Sequence, residues 1–481
     1  MPKLLLTPLL LLAACASAPE PATENSRPAP VAAVRSEEIP ADETLASPAS
    51  FTVLSAVAYA VEANPDLRIA FLRIAAAEEE VKVASSAWWP TLGVGFDLTY
   101  SDDPANVLMM TLRQRSLELG PTTDLNDPGA HSNSRVSVTA GWQLYDGGRR
   151  SNATEMRRLS VLLAESDRDA VMNSLRAAVI DTSLAVHMAE EFVHVANESV
   201  RLTEEQVRLA KARHELGQAQ RSDLLSAEVR LAEAKENRVK ARNAKSRALT
   251  ALRNLMGLPS AAPLTLLGSG AFTVTPVTEE NLEAVALANR PEIRKAGDAV
   301  LMAEEDVSMQ RSGHHPTVSL FGSYDWDTEV RTDLDFEDSG TVGLSLDWAL
   351  FEGGRTKARV AAAKSRLEEA REQERKARLA VTSDVSMATL RLAEAKERLD
   401  VSETSIAQAE EALRLISARY ENGAATITEY LDAEVALTGA RVRHVSARYD
   451  VERATADLRR ALGICRTGAI TADPEKTGGE R

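Results

Sequence analysis

The sequence contains an internal duplication, and this repeat limits the possible folds of the chain more than any other feature. Residues 142–149 read Trp-Gln-Leu-Tyr-Asp-Gly-Gly-Arg, and residues 348–355, 206 positions later, read Trp-Ala-Leu-Phe-Glu-Gly-Gly-Arg. Residues 212–217, Ala-Arg-His-Glu-Leu-Gly, return at the same offset as Ala-Arg-Tyr-Glu-Asn-Gly at 418–423. Because a long repeat at a constant offset marks a structural unit used more than once, we expect two similar units.

The beginning of each unit matches as well, at an offset of 226 positions instead of 206. Pro90 follows Pro65 by 25 residues, and Pro316 follows Pro291 by 25 residues. The first unit must therefore hold a longer loop, which we place at 101–135. The two repeats are assigned to 51–270 and 271–465.

Two segments in each repeat alternate between apolar and polar residues. In the second segment, Val136, Val138 and Trp142 alternate with Ser137 and Thr139. Alternation over about ten residues is typical of a strand with one apolar and one polar face, in a membrane or in a half-buried soluble sheet. The predicted strands lie at about 91–100, 136–145, 317–324 and 342–351.

The hydrophobic period becomes helical after two Gly-Gly pairs, which we predict to be strand-to-helix turns. Val186, Val193 and Val200 are spaced by seven residues, the spacing of a coiled coil. The predicted helices are two long ones at about 149–216 and 355–422, followed by helices at about 220–257 and 426–463. The glycines of the strand-to-helix turns are Gly147, Gly148, Gly353 and Gly354; those of the helical-hairpin tips are Gly217 and Gly423.

The N-terminus has the features of an export signal at 1–15. A short apolar run that cannot span a bilayer ends in Leu-Ala-Ala-Cys15, which resembles a lipoprotein processing site. Cys15 is therefore predicted to carry lipid, although an ordinary cleaved signal could contain the same cysteine. Residues 16–50 and 466–481 have no apolar period and are predicted to be a disordered tether and tail.

Charge and motifs exclude several functional classes. The net charge of -15 opposes binding to nucleic acid, which is itself a polyanion. The seven histidines are scattered, and the sequence has no pattern typical of a catalytic, metal or cofactor site. We therefore predict a protein that is not an enzyme and has neither metal nor cofactor.

Four membrane strands cannot form a closed barrel alone. A barrel needs roughly eight strands or more, and an open sheet edge is not tolerated in lipid. The chain should therefore assemble as an oligomer. Two copies would supply eight strands around a filled interior, whereas three would supply twelve around a lumen.

The ordered, duplicated motifs resemble the TolC-like outer-membrane efflux protein family. The similarity spans about 51–465 and rests on the helix-ending prolines, the Trp…Gly-Gly segments and the distal glycine turns. It implies a fold that is mainly α with a β-barrel part: a trimeric 12-stranded barrel continued by a long periplasmic α-helical barrel. It also implies a homotrimer that works with a periplasmic adaptor and an inner-membrane transporter.

The resemblance places a gate and an adaptor contact at the helical tips, around Gly217 and Gly423. Tyr420, Glu429 and Asp432 match gate positions of one hairpin, and Asp223 matches the hydrogen-bond partner of the tyrosine on the other. Ala425 stands where a well-known relative has an arginine, so the salt links of that arginine are absent. Alternatively, Tyr420 is a packing residue at the end of the heptad stripe.

We interpret the chain as a lipid-anchored outer-membrane channel subunit that conducts exported solutes passively. One alternative within the family is a type I secretion duct for unfolded polypeptide, and the sequence does not separate the two. An alternative from another class is a periplasmic coiled-coil scaffold or adaptor without a pore.

Overall fold

The computed structural model describes residues 50–118, 120, 124–267, 272–274, 281–330, 336–464 and 470–472. The predicted signal peptide with Cys15, nearly all of the predicted tether and most of the predicted tail lie outside these ranges.

Each repeat contributes a pair of antiparallel strands and a hairpin of long helices. The first repeat contains β1 (Ser50–Phe51), α1 (Val53–Ala63), α2 (Pro65–Ser86), β2 (Thr91–Ser101), α3 (Pro104–Arg113), β3 (His131–Tyr145), α4 (Arg149–Glu215), α5 (Arg221–Leu255) and β4 (Thr265–Leu266). The second contains β5 (Phe272–Val274), α6 (Leu282–Asn289), α7 (Pro291–Arg311), β6 (Thr317–Thr328), β7 (Glu337–Asp347), α8 (Arg355–Glu421), α9 (Ile427–Ala461) and β8 (Ile470–Ala472), with a 3-10 turn at Ser312–His314 after α7.

The four long strands form one antiparallel sheet in the order β2-β3-β6-β7. Phe96 lies opposite Val136, and Val136 lies opposite Trp326, so apolar side chains share one face. The other face pairs polar residues, such as Ser137 with Asp325. The sheet therefore has the two-faced character that the alternation predicts, and β2 and β7 are its two edges.

A β-bulge between Gln143 and Tyr145 corrects one facing prediction. The alternation places Leu144 in the apolar row of Trp142, but Tyr145 is the residue opposite Val318. The extra residue of a bulge shifts all later side chains in the strand by one position. The Nε2 atom of Gln143 donates hydrogen bonds to the carbonyl oxygens of Tyr145 at 2.8 Å and Val318 at 3.3 Å.

The long helices α4 and α8 have 67 residues each, so each is about 100 Å long. Each packs against its shorter partner, α5 or α9, and α4 also packs against α9 to join the two hairpins. Glu204 and Lys235 form an ion pair of 3.2 Å in the first hairpin, and the residues 206 positions later, Glu410 and Arg441, form one of 3.1 Å. Within the ranges given above, the helices lack any apolar stretch that could span a bilayer.

The largest hydrophobic cluster lies where α1, α4 and α5 meet, near the base of the first helical hairpin. Val179 and Leu184 of α4 contact the cluster that contains Leu252 of α5 and Met256, and all four side chains are buried. Burying side chains of this size contributes roughly 1.5–3 kcal/mol each. This packing holds the hairpin at its base while the helices continue toward the tip.

The structure adds three short helices that the sequence analysis omitted. α1 and α6 come directly before α2 and α7, and α3 lies within the predicted loop at 101–135. α3 has only ten residues, with Asp103 accepting a hydrogen bond from the N–H of Asn106 at its start. A helix this short has too few turns for its period to be visible in the sequence.

Strand boundaries also differ from the predicted ones. β3 begins at His131, because the polar residues before Val136 pair with β2 through the backbone. The side chains of Asn133 and Arg135 also donate hydrogen bonds to the buried carboxylate of Asp327. β7 covers Glu337–Asp347 instead of 342–351. Its end lies beside Trp348, whose indole N–H donates to the carbonyl oxygen of His314 at 3.1 Å.

The predicted tail contains one ordered element. Ile470–Ala472 forms β8, which pairs antiparallel with β5 at Phe272–Val274. Three residues are too few to show an alternating pattern, so only the pairing of the two distant segments reveals this strand.

Candidate functional site

Two helical tips lie at the ends of the α4–α5 and α8–α9 hairpins. Gly217 and Gly423 have φ values of +72° and +73°, a conformation that L-residues with a side chain rarely adopt. The N–H of Gly217 donates to the carbonyl oxygen of His214 at 2.9 Å, and that of Gly423 donates to Tyr420 at 3.1 Å. The two glycines therefore end the long helices in the same way, and each tip then starts its second helix.

Asp223 and Glu429 occupy equivalent places in the two tips. The carboxylate of Asp223 accepts a hydrogen bond from the N–H of Gln220 at 3.2 Å, and that of Glu429 accepts from the N–H of Thr426 at 2.7 Å. These are capping boxes, which satisfy N–H groups at a helix start. The hydrogen bond from the Thr426 N–H also holds the pKa of Glu429 below its usual range. Both acids thus have a structural role at the tip.

Tyr420 lies between the two hairpins. Its ring centroid is 5.6 Å from that of Tyr430, and the guanidinium carbon of Arg213 lies 4.7 Å from the centroid of its ring. Tyr430 is buried, and its hydroxyl accepts a hydrogen bond of 2.9 Å from Gln206 of α4. Among the described residues, no hydrogen bond joins Tyr420 to Asp223. In this chain Tyr420 packs, and the latch with Asp223 stays a prediction.

Asp432 joins the two hairpins directly. It is largely exposed and accepts a hydrogen bond of 3.2 Å from Arg230 of α5, which also donates to Glu233 at 2.9 Å. The sequence analysis named Asp432 but not its partner, because Arg230 lies 202 positions away and belongs to the other repeat.

Glu434 is an acid that the sequence analysis did not single out. Its side chain is 4% exposed, and neither carboxyl oxygen has a hydrogen-bond partner among the described residues. Burial raises its pKa to about 7, an effect that the positive charge of Arg230 partly opposes. Glu434 lines a cavity of about 430 Å³ bounded by α4, α5 and α9. The sequence does contain a sign of this burial: Ile427, Leu431 and Glu434 are spaced so that they lie on one face of α9.

The four glycines at the strand-to-helix turns lie as a pair before each long helix. Their φ values, all positive, are +69° and +88° at Gly147 and Gly148 and +61° and +84° at Gly353 and Gly354. Gly147 also makes a close approach, because a Cβ atom there would lie 2.7 Å from the Cβ of His315. The chain can therefore turn sharply from the sheet into α4 and α8.

Comparison with known proteins identifies the class of molecule to which this arrangement belongs. A family model described as outer membrane efflux protein matches residues 57–258 and 283–464, one segment in each repeat. The chain belongs to the outer membrane efflux protein family. The family predicted from the duplicated motifs is therefore confirmed.

Two relatives of this family match most of the chain. Protein CyaE of Bordetella pertussis is 25% identical over 434 residues, which cover 88% of this chain and 86% of that protein. Outer membrane efflux protein BepC of Brucella suis is 25% identical over 427 residues, which cover 88% of this chain and 87% of that protein. The solved structure of CusC superimposes with a TM-score of 0.73 at 19% identity, covering 86% of this chain and 92% of that one.

The family and the shared fold confirm the predicted fold class and function. The chain is a subunit of an outer-membrane efflux or export channel with the TolC-like fold, in which a strand sheet continues into long periplasmic helices. Proteins of this family are channels rather than enzymes. The relatives of this chain give no support to the alternative of a coiled-coil scaffold without a pore.

Proposed function

We propose that the chain works as a homotrimer in the outer membrane and conducts solutes that a periplasmic adaptor and an inner-membrane transporter deliver to it. Small toxic molecules are the proposed cargo, and transport through the channel itself is passive. The energy for export comes from the transporter.

The observation that carries this proposal is a four-stranded sheet with an apolar face and two free edges. Leu98 on β2 is 64% exposed and Leu344 on β7 is 65% exposed. An open edge leaves backbone N–H and C=O groups without partners, which costs several kcal/mol each in lipid. Closure with further copies removes both edges. Three copies give twelve strands and leave a lumen, which conduction requires.

The proposed gate is at the helical tips. Tyr420 and Asp223 would latch the α8–α9 hairpin to the α4–α5 hairpin in the closed state, and Glu429 and Asp432 would form acidic rings that favour cations. Gly217 and Gly423 mark the ends that meet the adaptor. Support comes from the contact of the Arg213 guanidinium of α4 with the Tyr420 ring and from the Arg230–Asp432 ion pair that joins the two hairpins.

Two parts of the chain are proposed to attach it to the membrane. Acylated Cys15 anchors the N-terminus, while the barrel is inserted in the outer membrane independently of that lipid. A closed barrel stays in the membrane without a lipid anchor, so the barrel supplies most of the attachment.

A transport assay tests the proposal. In cells that lack their own outer-membrane efflux channels, the chain expressed with its adaptor and transporter should lower accumulation of a fluorescent dye. The matched control is the same set of proteins without this chain. Secretion of an unfolded polypeptide, with no change in dye accumulation, would instead favour the type I duct. Failure of both transport assays, with the chain correctly placed in the membrane, would refute the proposal.

A further inference from the structure

Phe321 on β6 places an aromatic ring on the polar face of the sheet. The residues opposite it on the two neighbouring strands are Gly141 on β3 and Gly343 on β7. The rows of paired residues on either side contain glycine and polar residues: Gly93, Thr139, Ser323 and Thr341 in one direction, and Gln143, Ser319 and Ser345 in the other. Within these rows of the described strands, Phe321 is the one large apolar residue. Its ring therefore lies among side chains that favour contact with water.

The ring of Phe321 lies flat over Gly343. A Cβ atom built on Gly343 would be closest to the Cζ atom of the ring and 2.9 Å from each of the two Cε atoms. A Cβ position beyond the edge of the ring, in the ring plane, would be farther from the two Cε atoms. The glycine therefore lies beneath one face of the ring. The opposite face points away from the sheet, and the Phe321 side chain is 47% exposed.

The first repeat forms the same pair of strands without an aromatic ring. Residues of β2 correspond to residues 226 positions later, and those of β3 to residues 206 positions later. The counterparts of Phe321 and Gly343 are Gly95 and Ser137, which lie opposite each other in the β2–β3 pair. Strand pairing at this place thus does not depend on a large side chain. The ring needs an explanation other than the pairing of β6 with β7.

The polar face of a closed barrel lines the lumen, because the apolar face contacts lipid. In the proposed channel, the free face of the Phe321 ring would therefore be turned toward the transported solutes. Exposed apolar surface is unfavourable in water, and contact with an aromatic or apolar group removes it from water. A solute with an aromatic part would gain from this contact, whereas a small hydrated ion would not.

The charges on either side of the ring along the sheet are negative. Asp325 lies four residues from Phe321 on β6, and Asp347 lies four residues from Gly343 on β7, toward the opposite end of the sheet. Four residues of a strand span about 14 Å. Neither carboxylate has a recorded ion pair within the described part of the chain. Because these two acids make the potential around the ring negative, they attract positively charged solutes.

A planar aromatic cation matches both features of this surface. Its aromatic part can stack on the free face of the ring, and a positive charge over that face is attracted by the electron density of the ring. The two acids raise the local concentration of such a cation beside the ring. An anion is repelled by the acids, and a neutral polar solute gains little from the ring.

We propose that the free face of the Phe321 ring is a contact site in the channel lumen for planar aromatic cations, which Asp325 and Asp347 attract. This inference rests on the proposed channel and names a class of cargo for it. A homotrimer contains three such rings, one from each subunit.

Block of the ion current by ethidium, a planar aromatic cation, tests the site. Purified trimers are placed in planar bilayers, and ethidium is added on the side of the β-barrel, where it should block the current of the native channel. Phe321→Leu keeps an apolar side chain but has no aromatic face, so half-maximal block should need at least about threefold more ethidium. Phe321→Tyr keeps the ring and should be blocked like the native channel.

Block by Mg²⁺ is the matched ligand control. This ion keeps several of its water molecules and gains little from an aromatic ring, so its block should be the same in the native channel and in both variants. A loss of Mg²⁺ block that parallels the loss of ethidium block in Phe321→Leu would mean that the pore as a whole has changed, and it would overturn the aromatic site.

Gly343→Ala tests the position of the ring independently. The new Cβ atom would overlap the ring and displace it, so ethidium block should weaken as it does in Phe321→Leu. Gly95→Ala is the matched control, because it lies on the same face and its Cβ atom would meet only the movable hydroxyl of Ser137. It should leave the block unchanged.

Two results separate the failure of this site from the failure of the channel. Equal ethidium block of the native channel and Phe321→Leu, in trimers that conduct ions, would overturn the aromatic site alone. A native chain that forms no conducting trimer would instead refute the proposed function. If Gly343→Ala does not assemble, the comparison of Phe321→Leu with Phe321→Tyr decides the question by itself.

Discussion

At the scale of single residues, Glu434 is the most unusual, because its carboxyl group is buried without a hydrogen-bond partner among the described residues. A buried carboxyl without hydrogen-bond partners favours its protonated form, and its pKa therefore rises from the ordinary 4.5 to about 7. The charged groups of α5 beside it are Arg230 and Glu233, and the α4 side of the cavity contributes Ser199 and Thr203. The folded chain thus holds this proton more strongly than the unfolded chain does.

This pKa predicts how stability changes with pH. The contribution of the protonated Glu434 is fully present below about pH 4.5 and is lost as the pH rises toward 7, by at most about 3 kcal/mol per subunit. Glu434→Gln cannot ionise, so its melting temperature should fall less between pH 5 and pH 8 than that of the native protein. Circular dichroism of the purified channel in detergent measures both.

The matched control for this variant is Glu228→Gln, because Glu228 is the repeat counterpart of Glu434 and is exposed. This control should keep the pH dependence of the native protein. An identical slope for Glu434→Gln and the native protein would contradict the assignment of the raised pKa to this carboxyl.

The proposed latch is the second prediction at the residue scale. Tyr420→Phe removes the hydroxyl and keeps the ring that packs beside Tyr430, so it should raise single-channel conductance in planar bilayers and the entry of large antibiotics. A shielded hydrogen bond to a charged group contributes roughly 1.5–3 kcal/mol. Asp223→Ala should open the gate similarly without adding to Tyr420→Phe.

Asp223→Ala has a second effect, because Asp223 also caps α5. Loss of a capping group costs roughly 0.5–2 kcal/mol. The tyrosine variant is therefore the cleaner probe, and thermal melting of both variants separates gating from local unfolding. Unchanged conductance in both would leave Tyr420 as a packing residue.

At the scale of elements, the two faces of the sheet govern insertion. Leu346 lies on the apolar face of β7, and Ser345 next to it lies on the polar face. Leu346→Arg should reduce assembled trimer in the outer membrane, because a charge on the lipid face is destabilising, by roughly 2–4 kcal/mol at the midplane and by less toward a strand end such as this one. Ser345→Arg is the matched control and should assemble normally. The amount of detergent-resistant trimer in membrane fractions measures the assembly of both variants. Less trimer for Ser345→Arg than for Leu346→Arg would mean that the two faces of β7 are assigned the wrong way round.

The β-bulge makes this test specific to β7. On β3 the apolar row passes to Tyr145 after the bulge, so Leu144 no longer represents the lipid face. A change at Leu144 would therefore not report the same energy as a change at Leu346.

At the scale of the whole molecule, the lipid on Cys15 is predicted to anchor the chain without contributing to the folding and assembly of the barrel. Replacing Cys15 with Ser, together with an ordinary cleavable signal sequence, should leave trimers in the outer membrane because a closed barrel is held there without lipid. Native gels of outer-membrane fractions measure the trimer, and radiolabelled palmitate checks that the native Cys15 is acylated. Complete loss of trimer would show that the lipid is needed for assembly.

The amino-acid sequence by itself determined the duplication, the order of the long elements and the two-faced strands. These features follow from short-range periodicity: a heptad stripe or an alternation is visible wherever an element spans several repeats of its pattern. The long helices Arg149–Glu215 and Arg355–Glu421 differ by one residue at their ends from the predicted spans.

Tertiary structure decided the features that depend on neighbours distant in sequence. The bulge beside Tyr145, the pairing of β8 with β5, and the Arg230–Asp432 ion pair each join segments that no local pattern relates. The burial of Glu434 has the same origin, because only the meeting of α4, α5 and α9 removes its carboxyl from water. A residue's period specifies which face of its helix it occupies, whereas the helices packed against that face determine its solvation and therefore its charge.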